Sequence, residues 1–173
     1  MPASVPDYRR NVGIILMNKD GLVLAGRRTK AGQDGTLQMP QGGVGRTEKP
    51  IQAARRELFE ETGVNEAVFL KESANEYSYL FPKWVRKQRS QSGMHRYIGQ
   101  SQKWFLFIYT GKDIEADLKK RQDKELTDFE WVDIRILPEK VIPFKRDVYT
   151  AVVNEFGDYI KKIVGCLPKK IPE

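Results

Sequence analysis

Three glutamates lie within five positions of a segment that has the pattern of a helix. Glu57, Glu60 and Glu61 are three and four residues apart, a spacing that places side chains on one helix face, and Glu48 approaches from the preceding loop. Together with a backbone carbonyl from a glycine turn at Gly42, these carboxylates are the oxygen ligands that Mg²⁺ or Mn²⁺ prefers, and such ions also bind substrate phosphates. The spacing therefore predicts a divalent-metal site for phosphate chemistry.

The residues around these glutamates carry the local signals of a helix over Pro50–Thr62. Pro50 suits the first helical turn, where its missing N–H is not needed, and Gly63 can end the helix. Arg56 lies within the acidic cluster and can hold it in place without taking part in the chemistry. An apolar stripe at helical spacing is formed by Ile51, Ala54 and Leu58. We therefore expect a helix here and assign structural roles to Glu48, Arg56 and Gly63.

A lone Glu-x-x-Glu-Glu fits a solvated acidic helix face as well as it fits a metal site. Here a much longer spacing is satisfied, which a chance match rarely achieves. The occupied positions are Gly42, Glu48, Arg56, Glu57, Leu58, Glu60, Glu61, Gly63 and Val64. The complete spacing favours the functional interpretation.

This pattern resembles the Nudix box, without a departure at any defining position. The resemblance implies a hydrolase that cleaves a nucleoside diphosphate linked to another group, with a divalent metal, Mg²⁺ or Mn²⁺, bound by the glutamates of the box. It also implies the Nudix fold, an α/β (α+β) architecture in which a mixed β-sheet is sandwiched between α-helices.

The apolar periodicity along the chain predicts the same architecture. A second helix is expected over 146–164, where apolar residues recur at helical spacing. The run 83–102 is rich in Ser, Gln and Gly and is interpreted as a loop. Strands are expected at 12–17, 22–25, 67–72, 77–80, 103–110 and 129–132. Strands with helices on both faces make a mixed α/β sandwich.

Length and composition limit the kind of protein. The 173 residues suffice for one well-cored domain, 1–173, with a core at about 8–164 and a short mobile tail at 167–173. Hydrophobic content of 40% with 31% charged residues is ordinary for a globular protein. No apolar run approaches the roughly 20 residues that span a bilayer, and no signal peptide is visible. We expect a cytoplasmic monomer without a membrane partner, while organelle import with a removed presequence stays open.

Cysteine and histidine are too few for several classes of site. One cysteine, Cys166, excludes an internal disulfide and a cysteine metal cluster. The one histidine, His95, lies in a polar segment without a nearby acidic residue. This argues against a Ser-His-Asp triad and excludes a multi-histidine zinc site. Carboxylates remain as the catalytic groups.

The positive charge of the chain is concentrated in one stretch. The formal net charge is +7, and residues 77–112 contain no Asp or Glu. Their basic residues are Lys83, Arg86, Lys87, Arg89, Arg96, Lys103 and Lys112, so that the remaining basic residues balance the acidic ones. Trp84 and Tyr97 are interleaved with these charges. Basic residues neutralise phosphates and aromatic rings stack on bases. A nucleic acid or polyphosphate partner and a solvated basic loop explain this stretch equally well.

Four strings outside the box resemble bacterial RNA pyrophosphohydrolases and the related asymmetric dinucleoside tetraphosphate hydrolases. They are YRRNVGI at 8–14, QMPQGG at 38–43, GQSQKWF at 99–105 and PFKRDVY at 143–149. With the box, the likeness covers 8–156. These strings are more specific than the box, because substrate preference in the family resides outside it.

The resemblance implies roles for residues in and near these strings. Arg9 and Arg28 would bind the polyphosphate or the first nucleotide, since guanidinium groups match phosphate oxygens. Phe144 would stack on a base, and Lys145 would contact phosphate. The alternatives are surface charges for the arginines, a core position for Phe144 and a solvent-exposed Lys145. The remaining predicted substrate-binding residues are Gln41, Tyr79, Gln100 and Lys103.

Two further features concern metal binding and contacts with the nucleobase of the substrate. Glu125 aligns with a fourth acidic residue that the family places beside the metals, but it also fits a solvated charged run at 119–124. Where relatives often have Trp, this chain has Leu37, and the preceding loop, with Gly32 and Gly35, is longer. That departure weakens any prediction of base contacts from this loop.

The leading hypothesis is hydrolysis of the 5′ end of triphosphorylated RNA to a 5′-monophosphate. The resemblance implies two or more Mg²⁺ ions held by Glu57, Glu60, Glu61 and the Gly42 carbonyl. These glutamates are the predicted catalytic residues, with Glu57 favoured as general base and Glu60 or Glu125 as alternatives.

Two other hypotheses stay open. The same site could cleave diadenosine tetraphosphate to ATP and AMP, and the resemblance of Tyr79 to a tyrosine of those hydrolases keeps that branch. A non-catalytic nucleotide- or RNA-binding module is the third, and the intact box argues against it.

Overall fold

A mixed seven-stranded sheet forms the centre of the computed structural model, which describes residues 7–29, 35–90 and 96–167. Its main path runs β3-β2-β1-β6-β5, with β4 paired to β1 and β7 paired to β2. β1 and β6 are parallel, and the other pairs are antiparallel. The strands are β1 Asp7–Met17, β2 Val23–Arg28, β3 Leu37–Gln38, β4 Gln41–Gly43, β5 Ala67–Leu80, β6 Tyr97–Tyr109 and β7 Leu126–Val132.

Helices cover both faces of this sheet. They are α1 Pro50–Thr62, α2 Lys83–Ser90, α3 Ile114–Leu118, α4 Leu137–Lys140 and α5 Arg146–Cys166, with short 3₁₀ turns at Ile134–Ile136 and Pro143–Lys145. The predicted fold, a mixed sheet between α-helices, is confirmed. None of the helices in these described ranges combines the length and the apolar character that a membrane crossing requires.

The central strand β1 is apolar on both sides because both sides are covered. Successive side chains of a strand point to opposite faces. Ile14 and Leu16 pack with Leu58 of α1 in one core cluster, whereas Ile15 and Met17 belong to the cluster that includes α5. This explains why the sequence there is a continuous hydrophobic run.

The helix α1 has the predicted bounds for the predicted reasons. Pro50 is its first residue, and Gly63 follows it in the left-handed conformation with φ of 74°. The N–H of Gly63 donates to the carbonyl of Phe59. A Cβ on Gly63 would lie 2.0 Å from the backbone oxygen of Asp117. A glycine is therefore required by the turn and by the close approach of the neighbouring loop.

Two sequence predictions of elements were wrong in detail. Residues 67–80 form one strand rather than two, because register shifts between Phe69 and Lys71 and between Glu72 and Glu76 let the pairing with β6 continue. The interpretation of 83–102 as a loop was also wrong. This run contains α2 and the start of β6. Its polar composition comes from two sources: α2 is rich in Lys, Arg and Gln, which are good helix formers, and the glutamines of β6 are buried.

Some predictions fall outside the described residues. His95, Gly32 and the tail from 168 onward are among them. Within the described ranges, α5 extends to Cys166 and β7 begins at Leu126, so both elements are longer than predicted.

Candidate active site

A cleft of about 610 Å³ opens where β1, β4 and β6 meet α1, α2 and the 3₁₀ turn before α5. Side chains of opposite charge line it. The acidic set is Glu57, Glu60, Glu61, Asp123 and Glu125. The basic set is Arg9, Arg28, Arg89 and Lys145. Aromatic side chains complete the lining: Tyr79, Phe81, Trp84 and Phe144.

The glycine turn lies directly against the acidic set. A Cβ built on Gly42 would be 1.8 Å from the carboxyl carbon of Glu57, so the carboxylate occupies the space of a side chain at this position. Pairing of Gly42 with Val12 of β1 holds the turn in place. Only glycine allows the backbone of β4 to approach Glu57 this closely.

Arg56 forms ion pairs with two glutamates of α1 and with one in the loop before it. Its Nη1 lies 2.7 Å from Oε1 of Glu57 and 3.3 Å from Oε2 of Glu60. Its Nη2 lies 2.9 Å from Oε2 of Glu48 and donates to the carbonyl of Gly43 at 2.8 Å. The hydrogen bond from Arg56 lowers the pKa of Glu48, and the N–H of Gly45 contributes a second bond. Arg56 thus ties the loop before α1 to the glutamates.

Glu61 is the most buried of the carboxylates. It is 5% exposed and accepts the backbone N–H of Gln41 at 2.9 Å. Burial raises the pKa of Glu61 to about 8, and the charges of Glu57, Asp123 and Glu125 add to this rise. Burial also raises the pKa of Glu57, while Arg56 opposes that shift. Such crowding of negative charge is relieved by a cation.

The donor set fits a hard divalent cation, although a ligand cluster is not preformed. Among the described residues, no three His, Cys, Asp or Glu side chains converge as ready metal ligands. Instead, Arg56 donates hydrogen bonds to one carboxylate oxygen of Glu57 and to one of Glu60. The other oxygen of each carboxylate remains for a cation, and carboxylate oxygens are what Mg²⁺ and Mn²⁺ bind.

The loop before β7 brings Glu125 to the cleft. The backbone N–H groups of Gln122 and Asp123 both donate to the carbonyl of Glu60 at 2.8 Å, which fixes this loop to α1. The side chain of Asp123 accepts the N–H of Glu125 at 2.7 Å. Glu125 lines the cleft with a side chain that is 42% exposed, and its role beside the metals stays a prediction.

Lys145 is buried within the cleft lining. It is 4% exposed, and its Nζ donates to Oε1 of Gln38 at 2.6 Å and to Oε1 of Gln41 at 3.1 Å. No carboxylate of the described residues forms an ion pair with it. Burial holds its pKa well below the usual value for lysine. The alternative of a solvent-exposed Lys145 is therefore wrong. An anionic ligand would supply the counter-charge that an ammonium group at this position lacks.

The two predicted arginines reach the same cleft. Arg28 has a side chain that is only 12% exposed, with Nη1 at 3.2 Å from Oε1 of Gln38 and Nη2 at 3.3 Å from Oε2 of Glu125. The guanidinium of Arg9 lies over Gly43, where a Cβ would be 2.4 Å from its Nη2. A plain surface position, the alternative for both arginines, is not what the structure shows.

Phe144 and Tyr79 form an aromatic corner. Their ring centroids are 5.7 Å apart, and Trp84 meets Phe144 edge-on at 6.1 Å. Phe144 is half-buried, so it packs against the core and also lines the cleft. Tyr79 is buried, its hydroxyl donates to Oε1 of Gln100, and burial raises its pKa. Tyr79 and Gln100 therefore form part of the buried inner wall of the cleft.

Lys103 is the one predicted substrate-binding residue that the structure places outside the cleft. On β6 it alternates with Gln102 and Trp104, which lie on the face that continues to the cleft and to the α5 core. Lys103 consequently points to the other face, where its partner in the β1 register is Val12 of the α1 core.

Sequence reasoning missed several residues of the lining. Asn11, two positions after Arg9 on β1, shares its face and accepts a hydrogen bond from Nε2 of Gln102 at 2.8 Å. Strand alternation could have found it. Gln88 and Arg89 belong to α2, and interpreting that segment as a loop hid their common face.

Comparison with known proteins agrees with this geometry. The family model for the NUDIX domain matches residues 7–152. An RNA pyrophosphohydrolase of Bartonella clarridgeiae is 39% identical over 163 residues, covering 89% of this chain and 92% of the relative. The RNA pyrophosphohydrolase of Bartonella henselae is 40% identical over 163 residues, with 89% and 92% covered.

Solved structures share the fold at low sequence identity. A Caenorhabditis elegans Ap4A hydrolase binary complex has a TM-score of 0.62 at 14% identity, covering 89% of this chain and 98% of the other. The Escherichia coli dihydroneopterin triphosphate pyrophosphohydrolase has a TM-score of 0.61 at 17% identity, covering 85% and 97%. With the complete box, the sheet between helices and the match of the family model over most of its length, the chain belongs to the Nudix family.

Proposed function

We propose that this Nudix protein is an RNA pyrophosphohydrolase that converts the 5′-triphosphate end of RNA to a 5′-monophosphate with the help of Mg²⁺ or Mn²⁺. The observation that carries the proposal is the cleft itself. It brings a set of carboxylates together with three arginines, a buried lysine that has no carboxylate partner in the described chain, and several aromatic rings. The bacterial relatives, which match over 92% of their own length, are RNA pyrophosphohydrolases and support the same activity.

The acidic set provides the metal-binding part of the proposed site. The Gly42 carbonyl, Glu57, Glu60 and Glu61 would hold the cation, with Glu125 at its edge. A bound divalent ion supplies a water of lowered pKa and neutralises charge on the attacked phosphate. Mg²⁺ is the proposed physiological ion, and Mn²⁺ is the alternative.

Glu57 is the proposed general base. Its carboxylate lies against the turn at Gly42, and Arg56 holds its Oε1 at 2.7 Å. A carboxylate fixed in this way can accept the proton of a water that attacks phosphorus. Glu60 and Glu125, which line the same cleft, are the alternative bases.

The basic set provides the phosphate-binding part. Arg9 and Arg28 present guanidinium groups, which match phosphate oxygens in a bidentate way. Lys145 would gain from a phosphate the charge partner that the folded chain does not give it. Phe144, at the rim of this set, is half-buried and offers a ring face to the first base.

Diadenosine tetraphosphate hydrolysis is the second candidate function. The pairing of Phe144 with the partly exposed Trp84 favours it, because two aromatic rings at one cleft could serve two adenine bases. The same carboxylates would then cleave the tetraphosphate to ATP and AMP.

A side-by-side assay separates these functions. The protein is incubated with Mg²⁺ and either 5′-triphosphorylated RNA or diadenosine tetraphosphate, and the products are resolved by chromatography. The proposal expects 5′-monophosphorylated RNA to form with the higher kcat/KM. A higher kcat/KM on the dinucleotide would support the second candidate, and cleavage of neither substrate would contradict both.

A further inference from the structure

The helix α2 has two faces with different surroundings. Trp84, Val85, Gln88 and Arg89 line the cleft, and on a helix these positions fall on one side. Lys83, Arg86 and Lys87 fall on the opposite side and are exposed. We call these three residues the outer basic face.

The outer basic face has no compensating acid in the described chain. Neither α2 itself nor the surrounding stretch 77–112 contains Asp or Glu, and none of the three cations forms an ion pair within the ranges that the structure describes. Cations elsewhere on the surface do so, as Lys120 with Asp117, Arg135 with Asp133 and Lys161 with Asp158. A patch of this kind binds an anionic partner that comes from outside the chain.

Trp84 connects the cleft with this face. Its side chain is 42% exposed, its ring meets Phe144 at 6.1 Å, and it lies three positions before Lys87. Residues three apart are neighbours on a helix surface. A path therefore runs from the aromatic corner over Trp84 to Lys87 and on to Lys83 and Arg86.

We propose that the RNA strand leaving the cleft lies along this path, with its bases passing Trp84 and its phosphates contacting Lys83, Arg86 and Lys87. This inference rests on the proposed RNA pyrophosphohydrolase function. A helix with its side chains is about 10–12 Å across, so the outer basic face lies on the far side of α2 from a ligand contained in the cleft. Single-stranded nucleic acid is favoured over an acidic protein because the basic residues adjoin an exposed aromatic ring, the combination that such strands require.

The test compares two lengths of substrate in one set of proteins. A 5′-triphosphorylated dinucleotide occupies only the cleft, whereas an unstructured 5′-triphosphorylated RNA of twelve nucleotides also reaches α2. The variant Lys83→Gln/Arg86→Gln/Lys87→Gln removes three charges from the outer basic face. The control Lys19→Gln/Lys140→Gln/Lys162→Gln removes three exposed charges that do not line the cleft.

The proposal expects the ratio of kcat/KM for the long RNA to that for the dinucleotide to fall at least tenfold in the α2 variant and to stay at the wild-type value in the control. Each phosphate contact contributes about 0.7 to the slope of log affinity against log salt for single strands. The salt slope for the long RNA should therefore become shallower by about 2 in the α2 variant alone.

The other outcomes are distinguishable. If the wild type cleaves both lengths and the ratio is unchanged in the α2 variant, or falls equally in the control, the path along α2 is refuted while the proposed function stands. If the wild type cleaves neither length, the proposed function itself fails.

Discussion

Lys145 and Glu61 are joined through one neutral residue, Gln41. Nζ of Lys145 donates to the side-chain Oε1 of Gln41 at 3.1 Å, and the backbone N–H of Gln41 donates to Glu61 at 2.9 Å. The lysine and the glutamate are therefore held close to each other without an ion pair. Burial lowers the pKa of Lys145 and raises the pKa of Glu61, and both shifts favour the neutral form of the side chain. In the proposed site, a phosphate would compensate Lys145 and a cation would compensate Glu61.

Lys145→Met should weaken substrate binding and stabilise the free protein. Loss of a charged hydrogen bond to phosphate costs about 1.5–3 kcal/mol, which corresponds to a rise in KM of about 10- to 160-fold. Burying the amine without a counter-charge costs free energy in the folded state. Its acceptors keep other donors, since Gln38 also binds Arg28 and Gln41 also binds Gln102. Thermal melting should thus show a higher Tm.

The control for this variant is Lys162→Met, which replaces an exposed lysine of α5. It should leave KM at the wild-type value. A lower Tm for Lys145→Met, or an unchanged KM, would contradict the proposal that Lys145 is a destabilising buried amine that binds substrate phosphate.

Gly42→Ala should abolish most of the turnover. The added methyl group would occupy the position of the Glu57 carboxylate, and a displacement of about 1 Å in a catalytic group can cost about 100-fold in rate. Steady-state kcat on 5′-triphosphorylated RNA measures the loss.

Gly165→Ala is the matched control, because nothing lies within 4 Å of the added Cβ in α5. It should keep full activity and should not lower the free energy of unfolding, because alanine is favoured over glycine in a helix. Equal activity of the two variants would show that the contact between Gly42 and Glu57 is unimportant.

How far the sequence predicts this structure depends on whether the signals are local. The helix α1 was predicted to its end residues because Pro50, the apolar stripe and Gly63 are signals within one short segment. The cleft position of Lys145 is different, since its burial comes from Gln38 and Gln41, more than a hundred residues away in sequence. No local pattern could reveal that environment.

The errors arose where a pattern mixed two environments. In α2 the basic composition concealed a buried Val85, and averaging over 83–102 concealed the helix itself. On β6 the buried side chains of Gln100 and Gln102 broke the apolar pattern, so the strand was predicted to start too late. With the correct start, alternation would have assigned Lys103 to the face away from the cleft.

Glu57→Gln should reduce kcat by about 10²- to 10⁴-fold, the usual contribution of a general base. The amide keeps the shape of the side chain, so the fold should persist, which circular dichroism and the Tm can check. Glu66→Gln, at an exposed position outside the cleft, should retain wild-type kcat. Turnover of Glu57→Gln near the wild-type rate would assign the base to Glu60 or Glu125 instead.

The stability of the metal-free protein should fall as the pH rises through the window set by Glu61. Burial raises the pKa of Glu61 to about 8 in the folded chain, whereas an unfolded glutamate titrates at about 4.3. Between these values the folded chain binds a proton that the unfolded chain releases, so the free energy of unfolding decreases with pH. Glu61→Gln is neutral throughout and lacks this decrease. Melting curves in EDTA at pH 5, 6.5 and 8 should therefore show the variant gaining on the wild type.

A divalent cation should reverse this pH dependence if Glu61 is one of its ligands. In the proposed site Mg²⁺ would bind the ionised carboxylate of the folded chain, so its binding would both compensate the buried charge and stabilise the fold. Adding excess Mg²⁺ at pH 8 should raise the Tm of the wild type and leave that of Glu61→Gln much less changed. An equal Mg²⁺-dependent rise in both proteins would remove Glu61 from the set of metal ligands. In EDTA, a Tm difference between the wild type and Glu61→Gln that does not vary with pH would show that the Glu61 carboxyl group is already ionised in the folded chain.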